Sequence, residues 1–259
     1  YYGGIRKYQW VTVPLELHGL VVRRDGSEVY VKIGDDPKDP QLVINDLLPH
    51  LGREQGKKPL NEAIPSETLN ILVGSRPLRD DDGSDRVKVE VLRLLNEKYG
   101  ITERDFTRAE LEAVPAVKAS DVGFDRSMVG AYGQDDKVCA YTSLRAALDV
   151  EAPAVTSVTV FADKEEIGSD GNTGLNSDFL KIFMEDLCAA QGAESRRTLT
   201  NSTCMSADVN AAFDPTFPEV AEKRNTAYLN HGVVITKYTG ARGKSGTNDA
   251  SAEFMYQVR

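Results

Sequence analysis

The first part of the chain predicts an antiparallel hairpin. Apolar and polar residues alternate over much of residues 9–24, which is the period of a half-buried strand, and the alternation returns over residues 27–34. Asp25 and Gly26, a pair typical of tight turns, lie between the two runs. The two runs are therefore expected to pair in an antiparallel sheet or small barrel.

The segment that follows predicts a long loop and then a helix. Residues 36–67 are rich in Pro and Gly and have little periodicity, so we expect a loop with short pieces of structure. From Asp85 to Tyr99 apolar residues recur at helical spacing, and Gly100 follows as a stop signal.

The second half of the chain alternates between helical and strand patterns. Helices are predicted over residues 135–150, 174–192 and 248–259, and strands over residues 152–163, 198–209 and 231–238. This alternation predicts the α/β class with a mostly parallel sheet. A β-rich segment ahead of an α/β segment predicts two domains, which we place at residues 1–102 and 103–259.

Composition narrows the class of protein. The net charge of −9 argues against nucleic-acid binding, which needs a basic surface. No apolar run approaches the ~20 residues of a membrane span, so no membrane association is expected. Three cysteines without a C-x-x-C pair predict a reducing compartment, and we expect the cytoplasm.

Three acidic motifs are the candidates for chemistry: Glu165–Glu166, which directly follow a predicted strand, Asp135–Asp136 at a predicted helix start, and Asp208 at the end of a strand-like run. Neighbouring carboxylates point in different directions, so one can bind a metal while the other holds a water. Each motif also has a structural interpretation, as a capping loop, a helix N-cap and a turn residue, and in isolation that interpretation is preferred.

Other motifs give weaker indications of function. The glycine-rich run at residues 240–249 (GARGKSGTND) suggests a phosphate-binding loop, but Tyr238 stands where the pattern needs glycine, so nucleotide binding is not expected. Residues His18, His50 and His231 are each more typical of satisfied polar side chains than of metal ligands.

In combination the acidic motifs resemble a known family. GQDDKVCAY, DKEEIGSDGNTG and CMSADVNAAFDP, in this order, resemble the M18 family of metalloaminopeptidases, the aspartyl aminopeptidase group, and above all its bacterial branch. The resemblance extends from YYGGIRKYQW at the start to GVVITKYTGARGKSG towards the end. It implies an α/β zinc-peptidase catalytic domain with an inserted β-rich dimerisation domain.

The resemblance also implies roles for the acidic residues. Asp135 would bridge two zinc ions, with a cis peptide bond to Asp136. Glu166 would ligate one zinc and Asp208 the other, while Glu165 would be the general base. The implied reaction removes the N-terminal residue of short peptides with water that the two zinc ions activate. Co²⁺ or Mn²⁺ could replace Zn²⁺.

The remaining implications concern substrate and assembly. His50 matches a histidine of the inserted domain that reaches a neighbouring subunit's active site, and Lys237 matches a lysine near the substrate pocket. The family assembles as a dodecamer built from dimers, whose hollow interior admits short peptides. Preference for acidic or for neutral N-terminal residues is left open.

One departure from the family pattern creates an alternative. Each zinc in the family also has a terminal histidine, in segments that would precede Tyr1 and follow Arg259, and no histidine of this chain matches them. We therefore expect a central piece of the enzyme with three of five metal ligands and the base. The alternative is a non-catalytic assembly scaffold or a fragment with a defective metal site.

Overall fold

The structure is a computed structural model, which describes residues 6–79, 83–238 and 249–259. It divides into two compact units, one ending at Tyr132 and one beginning at Gly133. Among the helices in these ranges, none is both long and apolar enough to cross a membrane.

The first unit is built on an antiparallel sheet. Its strands are β1 (Leu15–Val22), β2 (Glu28–Ile33), β3 (Val43–Ile44), β4 (Ile71–Leu72), β5 (Ala109–Pro115), β6 (Ser120–Val122) and β7 (Met128–Gly130). The main sheet has the order β2-β1-β5, and β3–β4 and β6–β7 form separate antiparallel pairs. The predicted hairpin is confirmed as β1 and β2, joined by a turn in which Asp25 Oδ1 accepts a hydrogen bond from the Ser27 amide.

Helices of the first unit lie between and beside these strands. They are α1 (Leu60–Ala63), α2 (Arg86–Tyr99) and the 3-10 turns Lys7–Gln9, Gln55–Lys57, Ser66–Thr68 and Glu103–Arg108. The predicted helix ending at Tyr99 is confirmed as α2, and Gly100 closes it in the left-handed conformation, with φ +66°. The segment predicted to be a long loop carries only short elements, as expected.

The core and sheet of this unit include residues on both sides of position 102. Val21, Val31 and Ile33 of the sheet pack with Ile101, which directly follows α2 and its Gly100 cap. Strand β5 pairs with β1 along its whole length, so the residues after 102 belong to the same sheet. Sheet pairing therefore continues past residue 102, and the chain passes from one compact unit to the other at residues 132–133. The predicted domains, residues 1–102 and 103–259, stay a prediction.

The second unit is mostly helical. It contains α3 (Gln134–Asp149), α4 (Phe179–Ala190), α5 (Ser195–Thr200), α6 (Ala252–Val258) and the 3-10 turns Glu165–Ile167 and Pro218–Val220. The helices predicted over residues 135–150, 174–192 and 248–259 are confirmed as α3, α4 and α6. Isolated parallel bridges join Asp163 to Gly174 and Ala212 to Ala227.

The strands predicted for this unit are wrong at the level of the described residues. Within the described residues, 152–163 and 231–238 form no strand but only isolated bridges, from Asp163 to Gly174 and from Tyr238 to Asp249, and residues 198–209 begin inside α5. A strand is completed by its neighbours' hydrogen bonds and by an apolar layer on its faces. Val155 is 77% exposed and Val233 95% exposed, so neither segment is covered by such a layer.

Gly19 provides a test of the central sheet. Its φ is +149°, and a Cβ atom there would lie 2.0 Å from the Glu110 carbonyl oxygen of β5. Gly19→Ala should therefore lower the free energy of unfolding by about 1–3 kcal/mol through overpacking, in addition to backbone strain. Urea denaturation measures the loss. Gly26→Ala, with positive φ but open space around it, is the control, and an equal loss in both variants would contradict the steric explanation.

Glu90 on α2 predicts a pH dependence of stability. It is buried and accepts hydrogen bonds from Arg93 and Arg76, which lower its pKa to about 2. Because its pKa is lowered on folding, the ionised carboxylate stabilises the unit above pH 4.5, and this contribution disappears as the pH falls towards 2. Glu90→Gln should be less stable than wild type at pH 7, and the two should converge near pH 2. Denaturation at both pH values, with exposed Glu62→Gln as control, measures this; a constant difference would contradict it.

Candidate metal centre

Asp135 and Asp136 lie at the start of α3, where the backbone departs from helical geometry. Gly133 precedes the helix with φ +76°, and Asp135 has φ −87° and ψ 113°, outside the helical region. The peptide bond between Asp135 and Asp136 is cis, which confirms the sequence expectation. Both carboxylates thus occupy the first turn, where the helix dipole stabilises negative charge.

Asp208 joins these two residues from a distant part of the chain. It lies in a segment without regular structure, and its Oδ1 accepts a hydrogen bond of 2.7 Å from the Val209 amide. Asp135, Asp136 and Asp208 each offer a carboxylate oxygen, and these oxygens all lie within 4.8 Å of one another. We call these three residues the aspartate cluster; all three are exposed.

The charges of the aspartate cluster act on a neighbouring thiol. Cys139, half-buried one turn along α3, has its pKa raised by partial burial and then by the charges of Asp136, Asp208 and Asp135. Carboxylates about 4 Å apart repel by about 1 kcal/mol in water, and by more where solvent is partly excluded. A bound cation would relieve this repulsion.

Glu165 and Glu166 lie in a separate loop. They begin the 3-10 turn Glu165–Ile167, which follows Lys164 in the left-handed conformation, with φ 62°. The Gly168 amide donates to the Glu165 carbonyl at 2.9 Å, and the Ser169 amide donates to the Lys164 carbonyl at 2.9 Å. Neither glutamate belongs to the aspartate cluster. The metal-ligand set predicted from the sequence is therefore brought together in part: Asp135 and Asp208 meet, and Glu166 lies outside their group.

Asp136 is the residue that sequence reasoning missed as a possible ligand. The sequence identified it as a helix cap and as the partner of the cis bond, but the structure places its carboxylate with the other two. Its position next to Asp135 is the sequence feature that could have identified it as a possible ligand.

The two residues predicted to contact substrate lie elsewhere. Lys237 donates to Asp249 Oδ1 at 2.7 Å and to the Ala250 carbonyl at 2.6 Å, and the pairing with Asp249 raises its pKa. His50 is exposed in a turn of the first unit. The glycine-rich segment considered for nucleotide binding lies, except for Asp249, outside the described residues.

The donor chemistry of the aspartate cluster fits a divalent cation. Carboxylate oxygens ligate zinc at about 2.0–2.2 Å, so two oxygens on one ion lie at most about 4.4 Å apart. Oxygens within 4.8 Å of one another reach that spacing by small rotations of exposed side chains. An all-oxygen set is also acceptable to Mn²⁺ and Mg²⁺.

Comparisons with known proteins agree with this chemistry. The family model described as aminopeptidase I zinc metalloprotease (M18) matches residues 1–259. A protein named probable M18 family aminopeptidase 1 from Clostridium acetobutylicum is 51% identical over 263 residues, which cover all of this chain and 57% of that protein.

Solved structures show the same relationship. An M18-family aminopeptidase from Thermotoga maritima matches all of this chain and 58% of its own, with a TM-score of 0.93 and 47% identity. Aminopeptidase I from Clostridium acetobutylicum matches all of this chain and 57% of its own, with a TM-score of 0.90 and 51% identity. These neighbours confirm the α/β peptidase fold class. The chain spans less than two thirds of their length.

A more distant neighbour shares the fold alone. The structure of the Saccharomyces cerevisiae mApe1 dodecamer has 22% identity and a TM-score of 0.64, over 89% of this chain and 52% of that one.

Removal of one carboxylate tests the aspartate cluster. Asp208→Asn should weaken the affinity for Zn²⁺ or Mn²⁺ by at least about tenfold, because changes even beyond the ligands of a metal cost about 10–100-fold. Calorimetric titration of the chain measures this. Asp214→Asn is the control, because Asp214 caps a turn through the Thr216 amide and is not in the cluster. Equal affinities for wild type and Asp208→Asn would exclude Asp208 as a ligand.

Proposed function

The chain belongs to the M18 family of zinc metalloproteases, and from that premise we propose that it carries the metal site of an aminopeptidase. The enzyme would remove the N-terminal residue of short peptides with water activated by two zinc ions. The observation that carries this proposal is the aspartate cluster, which gathers three carboxylates from two distant segments. Because the chain spans 57–58% of its bacterial relatives, the activity is proposed for the whole protein.

Each acidic residue would have its own role at the metal site. Asp135 would bridge two zinc ions, Glu166 would ligate one and Asp208 the other, and Asp136 adds a further carboxylate beside Asp135 and Asp208. When bound, zinc would polarise the scissile carbonyl and lower the pKa of water. Co²⁺ and Mn²⁺ are alternative ions, since oxygen donors accept them.

Glu165 would act as the general base. Successive side chains of a 3-10 turn are about 120° apart, so Glu165 and Glu166 leave the turn Glu165–Ile167 in different directions. One side chain can therefore face a cation while the other takes a proton from the attacking water and returns it to the leaving amine. This division of roles explains why two adjacent carboxylates are useful at this position.

Substrate contacts and assembly remain proposals drawn from the family. His50 would contact substrate from a neighbouring subunit. Lys237 already donates two of the three N–H groups of its ammonium to Asp249 and Ala250, so it would contact substrate through the third or by exchanging one of these bonds. A dodecamer built from dimers is proposed, as the dodecameric yeast neighbour suggests. The expected cytoplasmic location stays a prediction.

The scaffold alternative is favoured by one observation. Within the described residues the cluster that could hold a metal consists of carboxylates alone, without imidazole. Metal analysis of the 259-residue chain separates the two hypotheses. Stoichiometric zinc at two sites would exclude the scaffold, and absence of bound zinc after dialysis against it would exclude a competent metal site in this chain.

Replacement of the proposed base tests the mechanism in the full-length protein. Glu165→Gln should lower kcat for amino-acid p-nitroanilides by about 10²–10⁴-fold, the usual contribution of a general base, while zinc content stays unchanged. A chelator should abolish wild-type activity, and added zinc should restore it. Glu185→Gln, an exposed change on α4, is the matched control. Retained activity in Glu165→Gln would contradict its role as the base.

A further inference from the structure

Asn176 holds the loop that carries Glu165 and Glu166. Within residues 163–177, which we call the glutamate loop, its side-chain Nδ2 donates to the Gly168 carbonyl at 3.0 Å. Its own amide donates to the carbonyl of the next residue, Ser169, at 3.2 Å. One residue thus binds two consecutive carbonyls at the end of the glutamate turn.

The two residues that carry these carbonyls, Gly168 and Ser169, also donate backbone hydrogen bonds to the glutamate turn. The amide of Gly168 donates to Glu165, and the amide of Ser169 donates to Lys164. The Gly168 carbonyl that Asn176 binds shares its peptide group with the Ser169 amide, which donates to the Lys164 carbonyl directly before Glu165. Asn176 therefore holds the peptide group that fixes the start of the glutamate turn. Loss of the Asn176 side chain would release the Gly168 carbonyl from the only side-chain bond the described residues give it.

The other end of the contact is fixed to α4. Asn176 is followed by Ser177, whose amide donates to the Gly174 carbonyl at 3.0 Å and whose Oγ accepts from the Phe179 amide at 3.4 Å, at the start of α4. Asn176 therefore directly precedes a residue whose side chain is hydrogen-bonded to the first residue of the twelve-residue helix α4. The helix supplies the rigid support that a surface loop lacks.

The glutamate loop also has little space in which to adjust. A Cβ atom on Gly174 would lie 2.1 Å from the Ser169 carbonyl oxygen and 2.6 Å from that of Asp170. A bridge between Asp163 and Gly174 closes the loop at its base. Close backbone packing around Gly174 and the hydrogen bonds of Asn176 therefore both restrict the glutamate loop.

We propose that Asn176 is a positioning residue that sets the orientation of Glu165 and Glu166 towards the metal and the substrate, an inference that rests on the proposed function. It acts through the Gly168 carbonyl and not by contact with the reacting atoms. Backbone support of this kind determines catalytic geometry because misplacement by about 1 Å can cost about 10²-fold in rate.

Two variants test the proposal. Asn176→Asp keeps the shape of the side chain but replaces the donor with a carboxylate that repels the Gly168 carbonyl, and Asn176→Ala removes the group. Both should speed hydrogen exchange at the Gly168 and Ser169 amides. Both should change the visible absorption spectrum of the Co²⁺-loaded chain and weaken Zn²⁺ binding by about 10–100-fold. In the full-length protein kcat should fall more than KM changes.

The control is Asn172→Ala, an exposed asparagine of the same loop that makes neither of these bonds. It should leave exchange, spectrum and zinc affinity at wild-type values. Faster exchange in Asn176→Asp with an unaltered spectrum, affinity and kcat would show a purely structural role and overturn the proposal. Unchanged hydrogen exchange at the Gly168 and Ser169 amides in both Asn176 variants would also overturn it. If wild type itself bound no metal and Glu165→Gln kept full activity, the proposed function would fail instead.

Discussion

Three carboxylates with oxygens within 4.8 Å of one another repel, and the second unit has to hold them together against that repulsion. The backbone at the start of α3 places two of the three. Gly133 takes a positive φ, Asp135 leaves the helical region, and the chain enters α3 with two acidic residues at the positive end of its dipole. Asp208 then arrives from a segment without regular structure. Partial burial raises the pKa of the Cys139 thiol on α3, and the nearby charges of Asp136, Asp208 and Asp135 raise it further.

The second acidic element is built on different principles. Glu165 and Glu166 owe their position to backbone hydrogen bonds within a closed loop and to the support of α4, not to a helix dipole. A base must stay ionised and keep its lone pairs for a proton, whereas a ligand gives its lone pairs to a cation. Under the proposed roles the glutamate loop carries both a base, Glu165, and a ligand, Glu166, and the different directions of successive side chains in the turn would let both demands be met at once. A single cluster of five carboxylates would have to share one environment and would titrate as a coupled group.

Features with a local cause could be predicted from the sequence. The β1–β2 hairpin follows from alternation and an Asp-Gly turn, and α2 follows from helical spacing closed by Gly100. The acidic motifs were found because adjacent carboxylates are visible in the sequence. Features with a distant cause were missed. Residues 152–163 and 231–238 have strand composition, but within the described residues they form only isolated bridges. Strand β5 joins β1 although it follows the change in composition near residue 102, and membership of Asp136 in the aspartate cluster depends on how the chain enters α3.

The preference of the aspartate cluster for one metal over another depends on its donor atoms. Carboxylate oxygens concentrate negative charge and attract any divalent cation, since they are hard donors that suit Mn²⁺ and Mg²⁺ as readily as Zn²⁺. Imidazole nitrogen shifts this preference towards zinc. Within the described residues the cluster that could hold a metal offers oxygen donors alone, so selectivity for zinc would have to come from nitrogen donors that join it. Under the proposed function the aspartate cluster would determine where a cation collects, and any nitrogen donor that joins it would determine which cation stays.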